Sequence, residues 1–436
     1  MGIYSYEEAF GAADKTTRAM RQAIADWFAA YYGCDDTQDR DACQRIAYTV
    51  VNKIVRTVFG EYQSTTQQQS YAPLLENLDG VARQALELSL VGGSCFLKPV
   101  PEKDGFSVGL IPRSNVLIFG RDASGAVNDL GTVERSTLGR YYYTLLERRT
   151  VDKNGYLTVE NKLLRSLNGQ NPGTPVPLTE HPAYRELPKS YRFARPVGSV
   201  GLVELRTPML NCVDGSSDSV SVYAPAMGLI RSIDENEAQL RQEFIRGQSR
   251  VIASRDLLKT DPQGNLQLQD HLFVGLDEDP EQVGITVFSP QLRHQSYLER
   301  KQEYLRNVES VIGLKRGMLS DANAQDRTAT EISASAGDYN LTVIDFQRTW
   351  QQAVQQMLSL CRCLGALYRM DFAGEVPCVS IDWGNGVLYD EDRVWADYLN
   401  MVDKGLMKPE IALGWRFNMP VQTPEQLQAI RQRFMP

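Results

Sequence analysis

At 436 residues the chain is longer than one ordinary hydrophobic core supports, so roughly two to four structural units are expected. Its 42% hydrophobic and 23% charged residues are soluble globular proportions, and no apolar run reaches the about 18 residues that would span a bilayer. Lys and Arg total 46 against 54 Asp and Glu, a formal charge of −8, which excludes a protein that grips nucleic acid over its whole surface. The first residues lack the basic start and apolar core of a signal peptide, so residence in the cytosol is expected. Met1-Gly2 does not make a myristoylation site, because Tyr6 stands where Ser or Thr is needed.

Along the chain, helices are expected over 15–32, 43–59 and 74–90, with Ile46, Val50, Ile54 and Val58 marking one buried face. The pattern then changes to short apolar runs at 95–100, 106–111 and 116–119, read as strands. The clearest hairpin pairs 141–149 with 156–164 across a turn at 152–155. Residues 168–188, rich in Pro, Gly, Thr and Asn, read as an exposed loop. Helix returns over 224–246, with Ile230, Ile233, Leu240 and Phe244 on one face, Pro225 in its first turn and Gly247 as its stop. Three strands are expected at 250–254, 271–275 and 285–289, separated by a turn at 261–265 and an acidic loop at 277–281. A second helix over 292–312 carries Leu298, Leu305, Val308 and Ile312 as its apolar stripe.

The segment from 313 to 331 is the most informative. Gly313 follows an apolar helical stretch where a left-handed residue would end it, and Gly317 is expected to keep the next residues flexible. Thr328 and Glu331 have the spacing of a capping box, so a new helix starts there. Lys315, Arg316 and Arg327 balance Asp321, Asp326 and Glu331, leaving the loop and its cap neutral. Beyond it, Ile332, Ala336, Tyr339, Val343, Phe346, Trp350, Val354, Met357, Cys361, Leu364 and Tyr368 keep helical spacing with no proline. That predicts a helix of about 40 residues and roughly 60 Å if unbroken, with Gly337 and Gly365 as kink points. A strand at 379–383 and short helices at 390–404 and 423–433 complete the chain.

Chemistry is scarce in this pattern. Neither a Gly-x4-Gly-Lys-Ser/Thr loop nor Gly-x-Ser-x-Gly is present, so no catalytic residues are assigned. Seven cysteines without repeated spacing are expected to remain thiols, and Cys361 and Cys363 point to different faces of a helix. With His181, His271 and His294 scattered, no metal or other cofactor is expected. Asp277, Glu278 and Asp279 lack the alternation of a calcium loop and read as solvated acid. Asp382, Asp390 and Asp392 would suit a nuclease only with a His or Lys partner pattern that is missing. Residues 91–95, Val-Gly-Gly-Ser-Cys, read as a helix-to-strand connection rather than a phosphate turn. Trp350 and Tyr339 read as packing.

Ile312-Gly313-Leu314 before the polar loop and Thr328-Ala329-Thr330-Glu331 after it resemble the tunnel-loop signature of portal proteins of tailed bacteriophages, the head-to-tail connector family. Tyr142-Tyr143-Thr144 with Glu147, then Asn161, then Arg206-Thr207-Pro208-Met209 with Asn211, resemble the wing meander of that family. Val402 to Met407 with Pro409-Glu410 resemble its C-terminal helical segment. The resemblance implies an α+β portal fold: wing at 1–222, first stem helix at 223–247, clip at 248–292, second stem helix at 293–312, tunnel loop at 313–328, a long wing and crown helix at 329–371, and a C-terminal crown segment at 372–436.

It further implies a homo-dodecameric ring at one capsid vertex, assembled in the host cytoplasm and carried in the virion, through which double-stranded DNA is packaged and ejected. Implied partners are the terminase large subunit, a head-completion or adaptor protein, and the major capsid or scaffold protein, with no membrane. On that reading Lys315, Arg316, Asp321, Asp326 and Arg327 face the DNA, Arg300, Lys301 and Arg306 offer further phosphate contacts, and Asp261, Asp277, Glu278 and Asp279 form the clip's docking rim. The rival readings are another capsid or connector protein and, more distantly, a metal-dependent nuclease.

Overall fold

The computed structural model describes residues 3–33, 42–102, 105–169, 171–247, 250–253, 258–260, 266–268, 285–288, 291–321, 329–368, 376–384, 391–417 and 424–435, with Met370, Met419 and Val421. In chain order the main elements are α1 (Arg18–Tyr32), α2 (Ile46–Val58), β1 (Gln63–Thr65), α3 (Ala72–Gly92), β2 (Ser94–Glu102), β3 (Gly105–Pro112), β4 (Val116–Arg121), β5 (Val127–Leu138), β6 (Tyr141–Val151) and β7 (Leu157–Ser166). There follow β8 (Thr174–Val176), β9 (Ser190–Arg192), β10 (Val203–Arg206), α4 (Met227–Arg246), β11 (Arg250–Ala253), β12 (Leu258–Thr260), β13 (Leu266–Leu268) and β14 (Ile285–Phe288). Last come α5 (His294–Ile312), α6 (Ala329–Tyr368), β15 (Ser380–Asp382), α7 (Glu391–Asp403), α8 (Pro409–Arg416) and α9 (Pro424–Phe434). The chain divides into two compact units, one of residues 1–28, 49–224 and 336–436, the other of 29–48 and 225–335.

The first unit is built on two larger antiparallel sheets, with β1 and β15 as a further antiparallel pair. One has the order β10-β2-β3 and is covered by α3, whose Leu74, Leu78, Ala82, Ala85 and Leu86 are buried. The other runs β4-β5-β6-β7-β8, with β9 also on β7. Its two faces bury different clusters, as the two-residue period of a strand requires. Leu117, Phe119, Val133, Leu146 and Leu164 meet Ile3, Tyr6 and Phe10 of the N-terminus, while Tyr143, Leu145 and Leu163 meet Tyr184. Gly93 has φ +83 at the end of α3, and a Cβ there would run into the Ser219 carbonyl. The glycine pair is thus a helix-to-strand connection whose conformation and close approach need Gly.

Several expectations change here. The β5 strand was not foreseen, because Val127–Leu138 mixes Asn, Asp, Gly, Ser and Thr with few apolar residues; its pairing with β6 along ten positions overrides that weak propensity. Residues 168–188 are not simply an exposed loop: β8 pairs with β7, and His181 and Tyr184 are buried with their rings stacked at 4.5 Å. Helix α6 is continuous over 40 residues. Tyr339, Val343, Phe346, Trp350, Val354, Met357, Cys361 and Leu364 are buried, although Tyr368 is 43% exposed. The C-terminal helices form a packet in which α8 contacts both α7 and α9, with Tyr398 against Trp415 and Phe417 stacked on Phe434.

In the second unit α4 and α5 pack side by side, burying Ile230, Ile233 and Leu240 from one and Leu305, Val308 and Ile312 from the other. Phe244 and Leu298, expected on those faces, are 49% and 45% exposed. A 3-10 turn at Ala224–Ala226 holds Pro225, so the helix proper starts at Met227. At the far end Gly247 has φ −82 and stops the helix without a left-handed turn. Between the helices β11 pairs with β14 and β12 with β13, both antiparallel. The expected strand at 271–275 lies outside the described residues, and the β12–β13 pair was not foreseen because two three-residue strands leave almost no alternation to detect.

Candidate functional site

Residues 313–321, the described part of the polar segment after α5, are more regular than their composition suggests. Gly313 takes the left-handed conformation at φ 78, ψ 30, and the Leu314 amide donates to the Glu309 carbonyl at 2.8 Å, so the helix ends as its glycine predicted. Leu314 is buried, and the chain then reverses in a tight turn in which the Met318 amide donates to the Lys315 carbonyl at 3.1 Å. Gly317 sits at the third position of that turn with φ 88, the value a type II turn needs there. It therefore fixes the reversal, where the sequence suggested flexibility.

Glu309 holds the returning strand. Its carboxylate, on a residue 1% exposed, accepts from the amides of Gly317, Leu319 and Ser320 and from the Ser320 hydroxyl, at 2.5 to 3.1 Å. Two helical turns earlier, the Gln302 side-chain oxygen accepts from the Asp321 amide at 2.8 Å. Residues 302 and 309 lie seven apart, hence on nearly the same stripe, so the chain doubles back along the end of α5. Lys315 and Arg316 stand exposed at the tip and Asp321 exposed at the lower strap. Asp326, Arg327 and Thr328 lie outside the described residues, and Glu331 falls in the first turn of α6, which begins at Ala329 where the capping pattern placed it.

The other basic residues of α5 differ in their surroundings. Arg300 is exposed and lies over its own neighbour Tyr304, donating to the phenol oxygen at 2.8 Å. The Lys301 ammonium donates to Gln44 at 2.7 Å and to Glu237 at 2.9 Å, so an acid on α4 already balances it. Arg306 is half-buried. Arg293 makes a forked pair with Glu243, joining the start of α5 to the end of α4, and the Gln44 amide donates to the buried Asp234 at 2.8 Å. Asp261, Asp277, Glu278 and Asp279 lie outside the described residues.

In the sheet unit a buried ionic cluster was visible only in part from sequence. Glu147 and Asn161, both marked by the family resemblance, stand opposite one another in the β6–β7 register. Glu147 binds Lys98 through both carboxylate oxygens and the Arg149 guanidinium through one. Burial would raise its pKa, but the Arg149 and Lys98 charges outweigh that and hold it at about 2. The signal was available: Glu147 and Arg149 continue the inward period of Tyr143 and Leu145. The cluster borders a cavity of about 900 Å³ lined also by Tyr184, Tyr191, Phe193 and Tyr368.

Residues considered for chemistry have plain roles. Trp350 is fully buried and its indole donates to the Tyr62 oxygen at 3.1 Å, while the Tyr339 hydroxyl bonds Thr57. Asp382 caps the Gly384 amide; Asp390 lies outside the described residues. Among the described residues, no group of three or more His, Cys, Asp or Glu side chains is placed to hold a metal, and no helix is long and apolar enough to cross a membrane.

Two packed helices bracketing paired strands, a braced polar reversal and then one very long helix define a head-to-tail connector of the portal class. Solved structures share the fold. One is a chain from the neck of a native GTA particle computed with C12 symmetry, 12% identical with a TM-score of 0.50, the match covering 94% of this chain and 98% of that one. Another is from the neck of an empty GTA particle computed with C6 symmetry, 12% identical with a TM-score of 0.51, covering 95% and 97%. The chain belongs to the SPP1 Gp6-like phage portal protein family, whose sequence model matches residues 121–433. No curated protein matches the sequence.

Proposed function

We propose that twelve copies of this chain form a ring at one vertex of a phage capsid and that double-stranded DNA enters and leaves through its channel. The observation that carries this reading is the reversal after α5, which presents Lys315 and Arg316 on a fixed tip within a chain of the portal family. The ring symmetries of the GTA necks are in keeping with it. Residues 1–222 with part of α6 serve as wing, 223–247 and 293–312 as stem, 248–292 as clip, 313–328 as tunnel loop and 372–436 as crown.

A passing duplex must be held without being gripped, and phosphate contacts carry no sequence information. Two tip cations against Asp321, Asp326 and their neighbours leave each loop neutral, which suits brief contact. Arg300 and Arg306 are the additional phosphate contacts on the stem; Lys301 contributes less, since Glu237 balances it. The clip, with Asp261, Asp277, Glu278 and Asp279, receives the terminase large subunit during filling and a head-completion protein afterwards. The wing meets the major capsid or scaffold protein.

Electron microscopy of the purified protein, alone and with the scaffold protein, tests this. Twelve-fold rings whose channel is at least about 20 Å wide, enough for B-form DNA, are expected. Closed particles or sheets without a channel would favour a shell protein instead, and monomers under both conditions would overturn the ring.

A further inference from the structure

We infer that Glu309 is the positioning residue of the channel loop: its buried carboxylate, with Gln302 as a second strap, makes residues 313–321 a fixed extension of α5, so that the cations at the tip stand where that helix puts them. The inference rests on the channel reading above for its functional part, but its structural part stands alone. A carboxylate buried to 1% exposure accepts three backbone amides and one hydroxyl from a segment eight to eleven residues further on. Charge-assisted bonds of this kind are about twice as strong as neutral ones. Removing the acceptor would also leave the buried Ser320 amide and the part-buried Gly317 and Leu319 amides without it.

The chain's own geometry supports a fixed arm. The left-handed Gly313 ends the helix, buried Leu314 anchors the exit, and Gly317 closes the turn at φ 88. Lys315 and Arg316 stand exposed between buried Leu314 and the residues Gly317, Leu319, Ser320 and Asp321, each bonded to α5. The tip is thus flanked on both sides by residues fixed to the end of α5. Oε1 alone accepts all three loop amides, so a glutamine, whose carbonyl oxygen can take that place, keeps them, whereas an alanine at 309 removes both acceptor oxygens and breaks the clasp.

Hydrogen exchange on assembled rings tests the clasp. In Glu309→Ala the amides of Gly317, Leu319 and Ser320 should exchange about tenfold or more faster, with α5 itself unchanged. In Gln302→Ala the same should hold for Asp321 alone, and this half-exposed position keeps the test open if the first variant does not assemble. Unchanged exchange at those amides would overturn the clasp. The functional part is read from DNA packaging in a double-mutant cycle: Glu309→Ala is expected to reduce packaging in the native chain but to add nothing once Lys315 and Arg316 are both alanine. Additive losses would mean that Glu309 only stabilises the fold, which overturns its positioning role. Native rings that pass no DNA would remove the channel reading and the positioning role with it, while the exchange result would still decide the clasp.

Discussion

Glu147 carries a negative charge at the floor of the sheet cavity because two cations are placed around it. Its carboxyl is held at about 2 although burial opposes ionisation, so the folded state binds fewer protons than the unfolded one over the interval between that value and the ordinary one near 4.5. The cluster's contribution is therefore complete above about pH 4.5 and is lost as pH falls through about 2. Glu147→Gln should cost about 3–5 kcal/mol, the usual result of leaving one side of a buried pair uncompensated. It should also flatten the acid limb of the stability profile; denaturant midpoints measured from pH 2 to 7 would show both, and an unchanged acid limb would count against the cluster. Thiols give a second residue-scale expectation. Burial pushes Cys95 and Cys361 up to about 12, whereas Cys212 and Cys378 are exposed. A thiol reagent at pH 8 should label the exposed pair quickly and reach the other two only on unfolding, as peptide mapping would reveal. Only part of this partnering was readable beforehand. Glu147 was marked by resemblance and Arg149 shares its face by the two-residue strand period, but Lys98 reaches it from β2 of the other sheet, and nothing local marks Glu309 among the acids of its helix.

At the scale of elements, legibility followed the length of the pattern. The 40-residue helix α6 was visible because eleven apolar positions kept one phase, and all those from Tyr339 to Leu364 are buried. Trp350 is the centre of its packing: it meets Phe59 edge-on at 5.6 Å and donates to Tyr62. Trp350→Ala should destabilise the sheet unit by about 3–5 kcal/mol through the cavity it leaves. A calorimetric scan that left that unit's transition in place would contradict this. Strands such as β5, and the three-residue pairs around β12, depend on partners far along the chain, and a window of sequence does not contain those partners. Gly317 was misread for the same reason. A glycine permits both a loose segment and a tight turn, and the choice between them is made by Glu309, eight residues earlier.

For the whole molecule, on the channel reading proposed above, the decisive quantity is the charge a passing duplex would meet. Twelve tips bearing two cations each would offer on the order of two dozen phosphate contacts, and if all engaged at once the salt dependence would be that of a tightly bound complex. The loop's own acids, the Glu237 partner of Lys301 and a chain charge of −8 work against that outcome. DNA would then touch few tips at a time and be confined mainly by the ring's geometry. Replacing both Lys315 and Arg316 by alanine should accordingly leave rings intact, reduce the DNA retained in filled particles several-fold, and bring the salt slope of DNA association with purified rings toward zero. Native-gel or microscopic counting of rings, beside DNA retention across a salt series, separates the alternatives. Intact rings with unchanged retention would remove the tip from the DNA path. Loss of the rings would instead make the reversal a contact between neighbouring copies, with its two cations paired to acids of the adjacent chain.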